Sequence, residues 1–168
     1  MKNNYVFFNF KSHDILVENS LRSVLDEYII EMFCPTLFHL KEHPAHVIIY
    51  LFWFLFTKGQ YRIIYVKKDN TIIHYRHILP KFFKFPFMNS KDLEIGPSWT
   101  DELYRGKGIF PAVMIYAIQY FKEKERTFYA FAHVDNKPSQ KAILKAGLSK
   151  WKNGNKTRKL GIYRIENE

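Results

Sequence analysis

The chain has 168 residues, 47% of them hydrophobic and 18% aromatic, which suits one packed domain over residues 1–168 and excludes disorder. A lone cysteine excludes an intrachain disulfide and points to a reducing, cytoplasmic setting. The formal net charge of +10 calls for an anionic partner, but nucleic acid, an anionic membrane surface and a phosphate-rich cofactor all qualify.

In chain order, the aromatic segment Asn4–Phe10 predicts a first strand, with no secretory signal core. Residues 14–33 predict a helix, since Leu16, Leu21, Val24, Leu25, Tyr28 and Ile29 recur at three- and four-residue spacing. Cys34, in Met32-Phe33-Cys34-Pro35, predicts a buried structural thiol. A second helix is expected from near Pro44 to Thr57. Its apolar run, Val47 to Phe56, is shorter than the roughly 20 residues of a membrane span. Being apolar all round, it predicts a buried helix rather than peripheral membrane contact. Tyr61–Lys67 and Thr71–Leu79 predict a hairpin with its turn at Lys68-Asp69-Asn70.

Residues 80–90 hold two prolines among aromatics and predict a packed loop. Asp92–Thr100 predicts a strand, Pro111–Lys124 a helix and Thr127–Val134 a strand. Lys137–Ala146 predicts a helix closed by Gly147. Trp151–Glu166 predicts a closing hairpin that turns at Asn153-Gly154. The order β, α, α, β, β, β, α, β, α, β, β points to an α/β (α+β) domain around a mixed sheet flanked by helices.

The chemistry concentrates in Tyr104-Arg105-Gly106-Lys107-Gly108-Ile109-Phe110-Pro111. Two glycines let backbone approach a bound group, and the helix that follows aims its free N–H groups and positive dipole end at that group. Arg105 and Lys107 add charge. Alone, the segment fits a pyrophosphate site or a basic glycine turn equally. It lacks the Gly-Lys-Ser/Thr of a nucleotide P-loop, and Pro111 spoils a dinucleotide fingerprint. Further on comes Asn136-Lys137-Pro138-Ser139-Gln140, ending in Ala146-Gly147-Leu148.

The two segments at this separation resemble the GNAT N-acetyltransferase superfamily. The first four positions of its first motif, Arg/Gln-x-x-Gly-x-Gly/Ala, are met at Arg105, Gly106, Lys107 and Gly108, and its later motif at Asn136, Ser139 and Gly147-Leu148, with Leu in place of Phe. The resemblance implies a mixed, mostly antiparallel sheet with a V-shaped gap between strands 92–100 and 127–134. It further implies acetyl-CoA, or another acyl-CoA, as co-substrate, with no metal. Main-chain N–H groups of Trp99, Thr100 and Asp101 would meet the pantetheine arm. Arg105, Gly106, Lys107, Gly108, Ile109 and Phe110 would hold the pyrophosphate, with Asn136 and Ser139 on the other side.

Two further departures bear on the chemistry. Phe110 stands where a small residue is usual, which requires its side chain to point into the core. Ile143 stands where many members carry a tyrosine that protonates the leaving thiolate. Ser139, Tyr104, Tyr163 or water must replace it.

Direct transfer also needs a base for the attacking amine. Glu94, with Asp92 on the same face, is one candidate, and its alternative reading is a solvent-facing carboxylate. His133 is the other, with a backbone-bonded turn histidine as its alternative. His74 and His77 fall on opposite strand faces, so they make no metal pair, and no other cluster has metal-ligand spacing. The basic C-terminal segment (Lys150, Lys152, Lys156, Arg158, Lys159, Arg164) reads as a solvated face or as an attractor of anionic acceptors. In this superfamily the acceptor is chosen mostly by segments that correspond here to 33–57 and 80–90.

The expected function is N-acyl transfer to a small-molecule primary amine, with an amino sugar suggested by the aromatic lining. The competing readings are a non-catalytic acyl-CoA-binding relic and a basic nucleic-acid-binding module. No RNA-binding signature supports the last. A homodimer is admitted as a further partner.

Overall fold

The structure, a computed structural model, describes residues 3–12, 14, 21, 23–34 and 47–166. The elements are β1 (Asn3–Lys11), β2 (Ile29–Phe33), α1 (Val47–Thr57), β3 (Arg62–Lys68), β4 (Thr71–Pro80), β5 (Leu93–Thr100), α2 (Ile109–Phe121), β6 (Thr127–His133), α3 (Lys137–Lys145), β7 (Ser149–Lys156) and β8 (Tyr163–Ile165). Among the described residues the strands form one eight-stranded sheet in the order β2-β3-β4-β5-β6-β1-β7-β8. Every neighbouring pair is antiparallel except β5 and β6.

Strand alternation divides the core in two. Ile64 and Val66 of β3, Phe8 and Phe10 of β1, and Phe128 and Ala130 of β6 pack with α2 residues such as Val113, Met114 and Ile118. Ile63 and Tyr65 of β3 and Tyr129 of β6 face the other way. There they meet Tyr50 of α1 and Phe82, Phe85 and Met88 of the 80–90 loop. That loop is packed as its aromatics predict.

The β3–β4 hairpin turns at Asp69 (φ 48°) and Asn70 (φ 63°), both in the left-handed region that a type I′ turn requires. Gly147, at φ 90°, closes α3.

Four expectations about the fold are corrected. The helix expected over 14–33 is, where described, a 3-10 turn at Ser23–Leu25 followed by β2. Residues 15–20 and 22 lie outside the described part. Short apolar runs fit both periods, and here Ile29–Phe33 finds a partner in Ile63–Lys67.

Cys34 is exposed rather than buried, because it follows an edge strand. The start of the helix near Pro44 lies outside the described residues. α1 itself is buried on one side only: Tyr50 is 7% exposed, while Leu51, Leu55 and Phe56 are 39, 63 and 49% exposed. Its uniformly apolar composition hides which face meets the sheet. No helix among the described residues is long and apolar enough to cross a membrane.

The closing hairpin does not turn at Asn153-Gly154, which lies inside β7; the turn runs through 157–162. Gly154 is needed in the strand. A Cβ there would meet the Arg164 carbonyl oxygen of β8 and lie 2.7 Å from Phe7 of β1.

Candidate active site

β5 and β6 pair at Leu93↔Phe128 and Glu94↔Tyr129 only. Beyond these, no described residue of β5 pairs with β6. The result is a V-shaped gap with a cavity on each side of the sheet.

On the α2/α3 side lies a groove of about 700 Å³. Trp99 and Thr100 line it from β5, and Arg105, Gly106, Gly108, Ile109 and Phe110 from the loop and the start of α2. Asn136 and Ser139 line it from α3. Gly106 and Gly108 have φ of 78° and 82°, values at which a side chain is strained. Gly108 is the N-cap of α2 and supplies no side-chain hydrogen bond. Helix geometry therefore leaves the N–H groups of Ile109 and Phe110 for a ligand. Asn136 caps α3 by accepting from Ser139 N–H at 3.1 Å, which fixes the Asn136 side chain at the groove wall.

Two expected residues fall outside this lining. Asp101 donates its N–H to the Ile73 carbonyl at 2.8 Å, and its carboxylate accepts from Leu103 N–H. In an antiparallel ladder alternate residues face the neighbour. With Thr100 opposite His74 and Ser98 opposite Arg76, the N–H groups of Ser98 and Thr100 face the gap while that of Trp99 faces β4. Ser98, not named from sequence, thus joins Thr100 as a main-chain donor, a consequence of register that no motif reveals. Lys107 places its ammonium 4.6 Å from the Tyr104 ring centre and does not line the groove. Arg105 folds back, donating to the Thr100 carbonyl at 3.2 Å and pairing with Glu102 at 2.9 Å. Lys141 and Lys145 also line the groove and went unnamed. Their spacing along α3 places them on one face, a signal available in the sequence.

On the α1 side lies a second cavity of about 460 Å³. It shares Ser98, Phe110, Asn136 and Ser139 with the groove, so the two meet through the gap.

Glu94 lines this second cavity and is 2% exposed, contrary to the solvent-facing alternative. Its Oε2 has no hydrogen-bond partner. Burial holds the Glu94 carboxyl well above the usual carboxylate range, and the Arg76 guanidinium opposes that shift. The carboxylate is pressed close to the backbone: a Cβ on Gly96 would lie 2.6 Å from Glu94 Oε1. Asp92 is occupied, accepting from Asn89 N–H at 2.6 Å and from Thr127 N–H at 3.0 Å.

His133 also lines the cavity, but its Nδ1 is engaged with Asp135, accepting the backbone N–H at 3.3 Å and lying 3.3 Å from the carboxylate. Ile143, 2% exposed, presents hydrocarbon at the position of the expected proton donor. Ser139 lies at the junction of the two cavities. Tyr104 lines only the groove, and Tyr163 only the second cavity. Burial, with Tyr5 and Glu94 nearby, pushes the Tyr163 hydroxyl further above its ordinary value, so it holds its proton.

Phe110, half-buried, packs against the α2-side core, as its position requires, and lies over Arg76, whose guanidinium is 4.1 Å from the ring centre. Arg76, 1% exposed, donates to the Ile95 carbonyl at 3.2 Å and the Phe110 carbonyl at 3.3 Å. It ties the start of α2 to β5. Burial lowers its pKa to about 9, with Glu94 opposing, which still leaves it charged at neutral pH. His74 and His77 do fall on opposite faces. His74 Nδ1 lies 2.7 Å from Thr100 Oγ1, and burial holds that ring neutral. His77 Nδ1 donates to the Pro97 carbonyl at 2.9 Å and packs edge-on to Trp53 of α1.

A model of the Acetyltransferase (GNAT) family matches residues 26–148. The chain therefore belongs to the GNAT acetyltransferase family, in agreement with its motifs. None of the curated proteins matches the sequence. Among solved structures, a GNAT-family acetyltransferase from Colwellia psychrerythraea superposes with a TM-score of 0.59 at 13% identity, covering 89% of this chain and 53% of its own. A GCN5-related N-acetyltransferase from Sphaerobacter thermophilus gives 0.56 at 10%, covering 90% and 50%. A tandem GNAT protein of clavulanic acid biosynthesis gives 0.56 at 12%, covering 90% and 51%. These likenesses concern the fold, and this chain spans about half the length of each of the three.

Proposed function

We propose that the chain transfers the acetyl group of acetyl-CoA to a primary amine of a small molecule, by direct attack in a ternary complex. The observation that carries this reading is the meeting of two cavities through the sheet gap. One is rimmed by a glycine loop and a helix N-terminus, and the other contains a buried carboxyl. In this reading the N–H groups of Ile109 and Phe110 receive the pyrophosphate. Those of Ser98 and Thr100 bond the pantetheine arm and polarise the thioester carbonyl.

Glu94, as carboxylate, takes a proton from the amine, whose nitrogen forms a bond to the thioester carbon while the C–S bond breaks. Ser139 Oγ–H hydrogen-bonds the departing thiolate, which is protonated through groove water as Glu94 gives up the proton it took, leaving an amide and a free thiol. The aromatic wall around Phe82, Phe85 and Tyr163 suits the flat face of a sugar ring, so an amino sugar is the first acceptor to try.

The test is calorimetric titration with acetyl-CoA, then acetyl transfer to amino sugars, polyamines, amino acids and peptide N-termini. Binding and turnover on a small amine are expected. Failure to bind acetyl-CoA would overturn the reading. Binding without turnover on any amine would favour the non-catalytic relic that the hydrocarbon surface of Ile143 permits.

A further inference from the structure

The second cavity has a charge pattern that acyl transfer alone does not require. Glu94 lies beside the gap. Lys84, from the 80–90 loop, and Lys156, from the end of β7, line the same cavity. Both are half-buried. Lys84 Nζ lies 4.9 Å from the Phe52 ring centre, and Lys156 Nζ 5.2 Å from that of Tyr163.

The two side chains converge over Gly161. A Cβ built there would lie 3.9 Å from Lys84 Nζ and 3.2 Å from Lys156 Cε. The loop carrying Lys84 is held to β8 by the Tyr163 N–H bond to the Lys84 carbonyl at 2.9 Å. Among the described residues no carboxylate forms an ion pair with either ammonium. Burial and the neighbouring Lys156 lower the pKa of Lys84, as expected for two cations crowded without an anion. Between the lysines and Glu94 the wall is aromatic, including Phe82, Phe85 and Phe131.

We propose that Lys84 and Lys156 form an anion-binding subsite, so that the acceptor is an amine that also carries a carboxylate or phosphate. The inference rests on the reading of this cavity as the acceptor site. It commits that site to zwitterionic or phosphorylated amines and against purely cationic ones. An anion between the two ammonium groups relieves their repulsion, and the aromatic wall sets the distance between the anion and the amine at the gap.

The experiment is calorimetric binding of matched probes to the protein loaded with coenzyme A, which has no acetyl group to transfer: glucosamine 6-phosphate against glucosamine, and phenylalanine against phenylalaninamide. The first pair tests phosphate and the second carboxylate. Variants are Lys84→Met and Lys156→Met, singly and together, which keep the hydrocarbon stems, and Lys84→Arg with Lys156→Arg, which keep the charges.

The anionic member of at least one pair should bind about tenfold tighter or more. That preference should vanish in the double Met protein, survive in the double Arg protein, and leave acetyl-CoA affinity unchanged. Equal or tighter binding of the neutral member in both pairs, or no binding of any probe, overturns the proposal. So does a preference that persists in the double Met protein. Because binding is read directly, charge-selective binding without turnover would sustain this subsite while removing the transferase reading.

Discussion

Glu94 is buried at the point where two parallel strands part, with one carboxylate oxygen unpartnered. A general base contributes about 10²–10⁴-fold to such reactions. Glu94→Gln should therefore lower kcat by about that range in steady-state assays, with acetyl-CoA affinity retained. Activity of the wild type should rise with pH as Glu94 ionises.

The same residue leaves a mark on stability. Its folded pKa lies above the unfolded one, so the unfolded chain releases that proton first as pH rises. The residue costs nothing below the unfolded pKa of about 4.3, and destabilises the fold increasingly as pH climbs toward the raised folded value. Melting temperatures across that window should fall more for the wild type than for Glu94→Gln. A parallel decline would overturn this assignment. Gly96→Ala makes a sharper test of position. Its Cβ would collide with Glu94 Oε1, so kcat should drop at least about tenfold, as displaced catalytic groups do, while acetyl-CoA titrations stay normal.

At the scale of elements, β7 depends on a glycine that resembles a turn signal. Gly154→Ala would drive a methyl group against the Arg164 carbonyl and Phe7. Overpacking of this kind costs about 3 kcal/mol, a Tm fall of roughly 6–12 °C. A change within 2 °C, within about 1 kcal/mol, would show that β7 and β8 are not pressed together as described.

Local signals carried most elements. Asp69-Asn70, Gly108 and Gly147 each mark a turn or helix end within a few residues of their own position. The elements that misled are those decided by distant partners. Ile29–Phe33 becomes a strand because β3 is there to pair with it. Asn153-Gly154 stays extended because β1 and β8 flank it. The site divides in the same way. The glycine loop and Asn136 were legible as spaced motifs. The burial of Glu94, the inward N–H of Ser98 and the convergence of Lys84 with Lys156 depend on sheet register and loop packing.

At the scale of the whole molecule, β1 lies inside the sheet, between β6 and β7, although the family match begins only at residue 26. Phe8 and Phe10 belong to one core, and Phe7 reaches toward the other face to pack on Phe87 and Phe131. A chain lacking residues 1–12 would present two open strand edges in mid-sheet. It should lose cooperative thermal unfolding, measured by near-ultraviolet circular dichroism and calorimetry. A sharp transition in the shortened protein would show that β1 is dispensable.

That placement also sets an order of events during synthesis. Tyr5 pairs with His133 and Asn3 with Lys156, partners made 128 and 153 residues later. Until then Tyr5-Val6-Phe7-Phe8 is an unpaired apolar strand, open to association with other nascent chains. Closing so long a loop must wait on late-made segments, which makes insertion of β1 a late and slow step of folding. The yield of native protein should therefore depend on translation rate and chaperone supply more steeply than its final stability would suggest.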